Sequence, residues 1–116
     1  MTAMATLRHL RDESQFRDVR AEGRVLKQPL LTIFVRPNGL PFSRLGITTS
    51  KRVGKAVRRN RARRLVRESF RSIAPRLATG LDVVTVGRPG LGEATYQDVR
   101  AMIDRAAVRG GLYQVY

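Results

Sequence analysis

The chain has 116 residues, 42% of them apolar, and carries 23 Lys and Arg against 9 Asp and Glu, a formal net charge of +14. That length fits one domain with a core of its own, and the charge calls for a polyanionic counterpart. There is no Cys and a single His, which excludes disulfide frameworks, thiolate metal sites, cysteine nucleophiles and paired-His metal motifs, and points to a reducing, cytoplasmic compartment.

The N-terminal MTAMATLRHLRD has neither the apolar core nor the cleavage pattern of a signal peptide. Residues 1–11 are expected to be flexible, with His9 exposed. In LRDESQFRDVRAEG, Asp12 or Ser14 can start a helix, Phe16 and Val19 share a face, and Gly23 stops it, which predicts a helix over 13–21. QPLLTIFVR is β-branched and aromatic enough for a strand at 29–36, PNGLP is a turn at 37–41, and SRLGITTSK at 43–51 reads as the antiparallel partner. No apolar run approaches the ~20 residues that span a bilayer.

The next stretch, KRVGKAVRRNRARRLVRESFR at 51–71, holds ten Lys and Arg in twenty-one positions. At about 100° per residue, with Arg61 set to 0°, Ala62, Leu65, Val66, Phe70 and Ile73 fall between roughly 40° and 180°. Asn60, Arg64, Arg67 and Arg71 fall between roughly 240° and 300°. One helix thus carries an apolar arc and an Arg stripe on opposite sides, an arrangement that a disordered basic tail has no reason to keep. Pro75 marks its end. LDVVTVGRP at 81–89 predicts a buried strand, and GEATYQDVRAMIDRAAVRG a final helix over 94–108, capped by Thr95 and followed by Gly110 and Gly111. The order is α-β-β-α-β-α. It suggests an α+β domain, a small α/β sandwich with one antiparallel hairpin and a crossover through the Arg helix.

Catalytic motifs are not visible. A P-loop needs Gly, four residues, then Gly-Lys and a hydroxyl residue; Gly54-Lys55 is present, but Thr49 and Ala56 stand at the other two positions. The carboxylates are scattered, and Glu68, among arginines, is expected to be an ion-pair partner that orders the helix rather than a general base. Solvated helix faces usually alternate in sign, whereas residues 51–67 hold nine Lys or Arg and no acid. A nucleic acid would relieve that repulsion and release counterions.

The string from Gly46 to Phe70, above all SKRVGKAVRRNRARRLVRESF, resembles the protein subunit of bacterial ribonuclease P, whose hallmark is an Arg-Asn-Arg core in a basic helix. Arg59, Asn60 and Arg61 occupy that core. The resemblance runs more faintly through QFRDV, LLTIFV and DVVTVGRP to TYQDVRAMIDRA. It implies a subunit that pairs with a large catalytic RNA and helps it remove the 5′ leader of precursor transfer RNA, with no protein partner required and no membrane. It implies that the RNA does the chemistry with Mg²⁺ held mainly by RNA and substrate. It also implies a ribosomal-protein second-domain-like fold, with a left-handed β-α-β crossover where general statistics favour the right-handed form.

By resemblance, the RNA-contacting residues are Lys51, Arg52, Lys55, Arg58, Arg59, Asn60, Arg61, Arg63, Arg64 and Arg67. Phe16 and Phe34 match the aromatic positions of a central cleft for the single-stranded leader, where stacking suits any base sequence; as single aromatics they also fit an ordinary core. Arg20 stands where many members have a second aromatic, Lys55 where Asn is frequent, and Gly87 where Ala is common. Three other readings remain beside this one. A ribosomal or RNA-chaperone-type protein would share the basic helix, a helix-turn-helix protein would need a helix where LGITTS reads as strand, and a membrane-surface helix would need bulky interfacial residues.

Overall fold

The computed structural model describes residues 7–115. Five strands and three helices follow one another as β1 (Leu7–His9), α1 (Glu13–Glu22), β2 (Arg24–Lys27), β3 (Leu31–Pro37), β4 (Ser43–Thr48), α2 (Ala56–Ile73), β5 (Leu81–Gly87) and α3 (Tyr96–Arg109). The strands form one mixed sheet in the order β1-β4-β5-β3-β2. β1 and β5 run parallel to β4, and β3 runs antiparallel to both β5 and β2.

Two expectations are corrected by this topology. β3 and β4 do not form a hairpin; β5 lies between them, and the antiparallel hairpin is β2–β3. The reason is burial: Asp82 to Thr85 are all buried, and a strand covered on both faces belongs at the centre of a sheet. The second correction is at the N-terminus, where Leu7–His9 pair with Ser43–Leu45 as β1 and Leu10 is buried. That part of the segment expected to be flexible is therefore built into the sheet, while residues 1–6 lie outside the described residues. His9 is exposed, as expected.

The helices lie on both faces of the sheet. Leu31, Ile33 and Val35 of β3 point into the main core, shared with Ala62, Leu65, Val66, Phe70 and Ile73 of α2 and Val99, Met102 and Ile103 of α3. All five predicted apolar-arc residues of α2 are thus buried. On the other face, Val19 of α1 packs with Leu10 and Val84, flanked by Phe16 and Phe34. α1 begins at Asp12, whose carboxylate accepts from the Ser14 N–H at 2.9 Å and the Ser14 hydroxyl at 2.8 Å. These bonds to Ser14 hold the Asp12 carboxyl below its usual range.

Beside α1, Asp82 ties the sheet to the 37–42 turn. It accepts from Arg44 Nε at 2.8 Å, Arg44 Nη2 at 2.7 Å and Asn38 Nδ2 at 2.9 Å. The hydrogen bond to Asp82 raises the Arg44 guanidinium above its ordinary value. Glu68 is a further correction, since it is exposed and makes no ion pair among the described residues. Its neighbours on the helix extend into solvent instead.

Candidate nucleic-acid interface

The approach to α2 is a short 3-10 turn, Lys51–Val53, started by Ser50, whose hydroxyl accepts from the Arg52 N–H. Val53 is buried and anchors the turn, while Lys51 and Arg52 are exposed. Gly54 then takes a φ of +134°, a region that side chains rarely allow, and Lys55 is the N-cap of α2 without a side-chain capping bond. The first turn of α2 contains no acid. Free N–H groups, the positive end of the helix dipole and three exposed cations therefore coincide, an arrangement that favours anions.

Along α2 the basic residues divide into two sets. Arg61, half-buried, donates through Nη1 to the carbonyls of Gly92 and Ala94, both at 2.8 Å. Arg58 is paired with Glu93 of the same turn. Gly92 fits there because a Cβ would lie 3.0 Å from the Arg58 carbonyl oxygen. These two arginines brace the helix against the chain entering α3. By contrast Lys51, Arg52, Lys55, Arg59, Arg63, Arg64, Arg67 and Arg71 make no ion pair among the described residues, and all but the half-buried Arg59 are exposed, as is Asn60. Arg71 extends the free stripe past the last residue expected from the resemblance.

Gly87 has a packing reason in this chain. A Cβ there would lie 2.9 Å from Val53 Cγ2 and 3.0 Å from Leu91 Cδ2. The absent methyl lets the loop after β5, with exposed Arg88, close against the turn that carries Lys51 and Arg52.

The second expected site lies on the α1 face. Val25, Phe34, Val84 and Gly46 are register partners in one row across four strands. Phe16 lies over the Gly46 end of that row, because a Cβ on Gly46 would come within 2.5 Å of its ring. Phe16 and Phe34 are both half-buried and join the same small cluster. They are therefore partly core and partly surface. Arg20 shares an open recess of about 480 Å³ with Phe16 and Thr48, which Arg11 and Arg17 also line; Phe34 does not line it. Arg11, Arg17 and Thr48 were not singled out in the sequence; Arg17 adjoins Phe16 on α1, and only the fold brings Arg11 and Thr48 to the same recess.

No cluster of three or more His, Asp or Glu that could hold a metal occurs among the described residues. No described helix is long and apolar enough to cross a membrane.

Residues 4–110 match the family model for Ribonuclease P. The chain is 39% identical over 106 residues to the ribonuclease P protein component of Roseiflexus sp. strain RS-1, covering 90% of this chain and 87% of that protein. It is 42% identical over 104 residues to that of Chloroflexus aurantiacus strain J-10-fl, covering 85% and 77%. The solved RNase P protein of Thermotoga maritima superposes with a TM-score of 0.78 at 33% identity, over 87% of this chain and 96% of that one. The Staphylococcus aureus protein shares the fold at 20% identity, with a TM-score of 0.82 over 91% and 97% of the two chains. On this match, which spans both the basic helix and the sheet, the chain belongs to the ribonuclease P protein family.

Proposed function

We propose that the chain binds the catalytic RNA of ribonuclease P through the free cations of α2, and that its α1 face receives the single-stranded 5′ leader of precursor transfer RNA. The observation that carries this reading is the division of labour within α2. Its apolar arc is fully buried, two of its arginines brace a neighbouring turn, and the remaining cations, exposed except for the half-buried Arg59, make no ion pair among the described residues. Phosphates supply a counter-charge, and releasing their condensed counterions drives association. On the α1 face, the half-buried rings of Phe16 and Phe34 offer apolar surface to bases of any sequence, and Arg20 adds a cation that can meet a phosphate or stack by its guanidinium plane.

In this reading the chain works in the cytoplasm within a ribonucleoprotein endoribonuclease, and hydrolysis relies on Mg²⁺ held by RNA and substrate. The residues described above bind and orient. Sequencing the RNA that co-purifies with the protein from its own cells tests the proposal. A single abundant structured RNA is expected; a mixture of ribosomal fragments would favour a ribosomal or chaperone role instead.

A further inference from the structure

Of the 23 basic residues, 20 are Arg and only three are Lys: Lys27, Lys51 and Lys55. The two types differ chemically. A guanidinium stays protonated and unreactive, whereas the ε-amine of Lys, once unprotonated, is a nucleophile and a target of acylation. Two of the three lysines stand at the approach to α2, both exposed and neither in an ion pair among the described residues.

Those two share one space. Lys51, Gly54, Lys55, Ala56 and Arg59 line an open recess of about 460 Å³. Gly54, at a φ of +134°, turns the chain between the 3-10 turn and α2. The Lys55 carbonyl accepts from the Arg59 N–H at 3.0 Å, one helical turn that sets Arg59 on the same face as Lys55. Arg59 is half-buried and likewise without an ion pair among the described residues. The other lining residues are small, and no carboxylate lines the recess. Lys27 has a different setting, exposed in β2 opposite Thr32 of β3.

Two amines and a guanidinium around one space attract a small anion. The amines add something that three guanidiniums would not when that anion also carries an electrophile. An acyl phosphate has both parts, a phosphate and, one oxygen away, an acyl carbon. We propose that this recess is a site of acyl transfer, in which an acyl phosphate sets its phosphate against Arg59 and one lysine while the unprotonated amine of the other, Lys51 or Lys55, attacks the acyl carbon. The amide N–C bond forms, the C–O bond to phosphate breaks, and the amine proton leaves with the phosphate as hydrogen phosphate. Each transfer removes one positive charge. The consequence for RNA rests on the reading that α2 binds RNA: an acylated chain has fewer cations for phosphates, and RNA already bound there shields both amines.

The test is to incubate the folded full chain with acetyl phosphate and follow acetylation at each lysine by mass spectrometry. Lys51 or Lys55 should react about tenfold faster than Lys27, or more, as docking makes the step effectively intramolecular. The rate should saturate with acetyl phosphate, and inorganic phosphate at constant ionic strength should slow it without affecting Lys27. Arg59→Gln should reduce the preference, and in urea the three lysines should react alike. Equal rates in the folded chain, or a rate that rises linearly with acetyl phosphate and ignores inorganic phosphate, would overturn the site. Catalytic RNA added first should protect Lys51 and Lys55 and leave Lys27 reactive, and the acetylated chain should bind that RNA with a salt slope smaller by about 1 per acetyl group. If the preference holds but RNA neither protects nor loses affinity, acyl transfer stands and RNA binding through the start of α2 falls.

Discussion

The Phe16 ring occupies the space that a side chain on Gly46 would fill: a Cβ there would lie 2.5 Å from Phe16 Cε1 and Cζ. Gly46→Ala therefore has to displace the ring, at a cost of about 1–3 kcal/mol in stability. If the ring stacks leader bases, Gly46→Ala, Phe16→Leu and Phe34→Leu should each weaken binding of precursors with long leaders by up to ~1–3 kcal/mol. Mature transfer RNA should be bound as before. Affinities measured in parallel on substrates with and without a leader decide this, and equal losses on both would assign the rings to the core alone.

The two sets of α2 arginines should separate experimentally. Arg61→Ala breaks two hydrogen bonds to carbonyls, so it should lower the melting temperature, with a stability loss of about 1–3 kcal/mol. It should leave the slope of log K against log salt unchanged once the protein is folded. Arg64→Ala should do the reverse, with an unchanged melting temperature and a slope smaller by about 1. Thermal melts and salt titrations of both variants give the answer; a reduced slope for Arg61→Ala would make it a phosphate contact.

Much of this was legible in the sequence, and what was not has physical causes. The 3.6-residue spacing of Ala62, Leu65, Val66, Phe70 and Ile73 placed α2 correctly, and Asp12, Thr95 and Gly23 marked helix ends where the structure has them. β1 and β2 were missed because three- and four-residue strands, LRH and RVLK, are too short to show a period. The expected β3–β4 hairpin followed from adjacency along the chain, yet the run Val83, Val84 and Thr85, apolar or uncharged on both faces, was the available sign of a central strand. Within the candidate site, the charge of Arg61 hid its bracing role. Its position on the helical wheel, at the border of the apolar arc, was the only hint, and its partners are backbone carbonyls about thirty residues away, which no local pattern encodes.

Asp82 and Glu68 should behave differently although both are carboxylates. Asp82→Ala leaves the Arg44 guanidinium without its partner in a largely buried position and should cost about 3 kcal/mol or more in stability. Glu68→Gln removes an exposed, unpaired charge and should leave the melting temperature within about 1 °C to 2 °C. Neither Glu68→Gln nor the isosteric Asp82→Asn should change the chemical step of the assembled enzyme, as read by single-turnover cleavage. A large loss of that rate in a folded variant would place a protein carboxylate in the reaction.

The C-terminal segment should be sensitive to alkali. Burial, then the hydrogen bond from its hydroxyl to Asp104, raises the Tyr113 phenol above its ordinary value, and Arg76 lies over the ring at 4.1 Å. A phenol whose pKa is higher in the folded state contributes stability that is complete below the unfolded value of about 10 and is lost as pH rises through the folded one. Denaturation midpoints should therefore fall as pH rises above about 10. Tyr113→Phe should be less stable at neutral pH and should flatten that alkaline decline; an unchanged decline would exclude Tyr113 as its source.

The central claim is that the unpaired cations of α2 meet RNA phosphates, and the salt dependence of affinity for the catalytic RNA tests it most directly. With Lys51, Arg52 and Lys55 just before the helix, eight cations without an ion pair among the described residues lie between Lys51 and Arg71, and if six or more of them make contacts, affinity should fall by roughly 10³ to 10⁵ between 50 and 200 mM monovalent salt. A response that is nearly flat over that range would mean that the stripe is a solvated face, and that the RNA is held elsewhere.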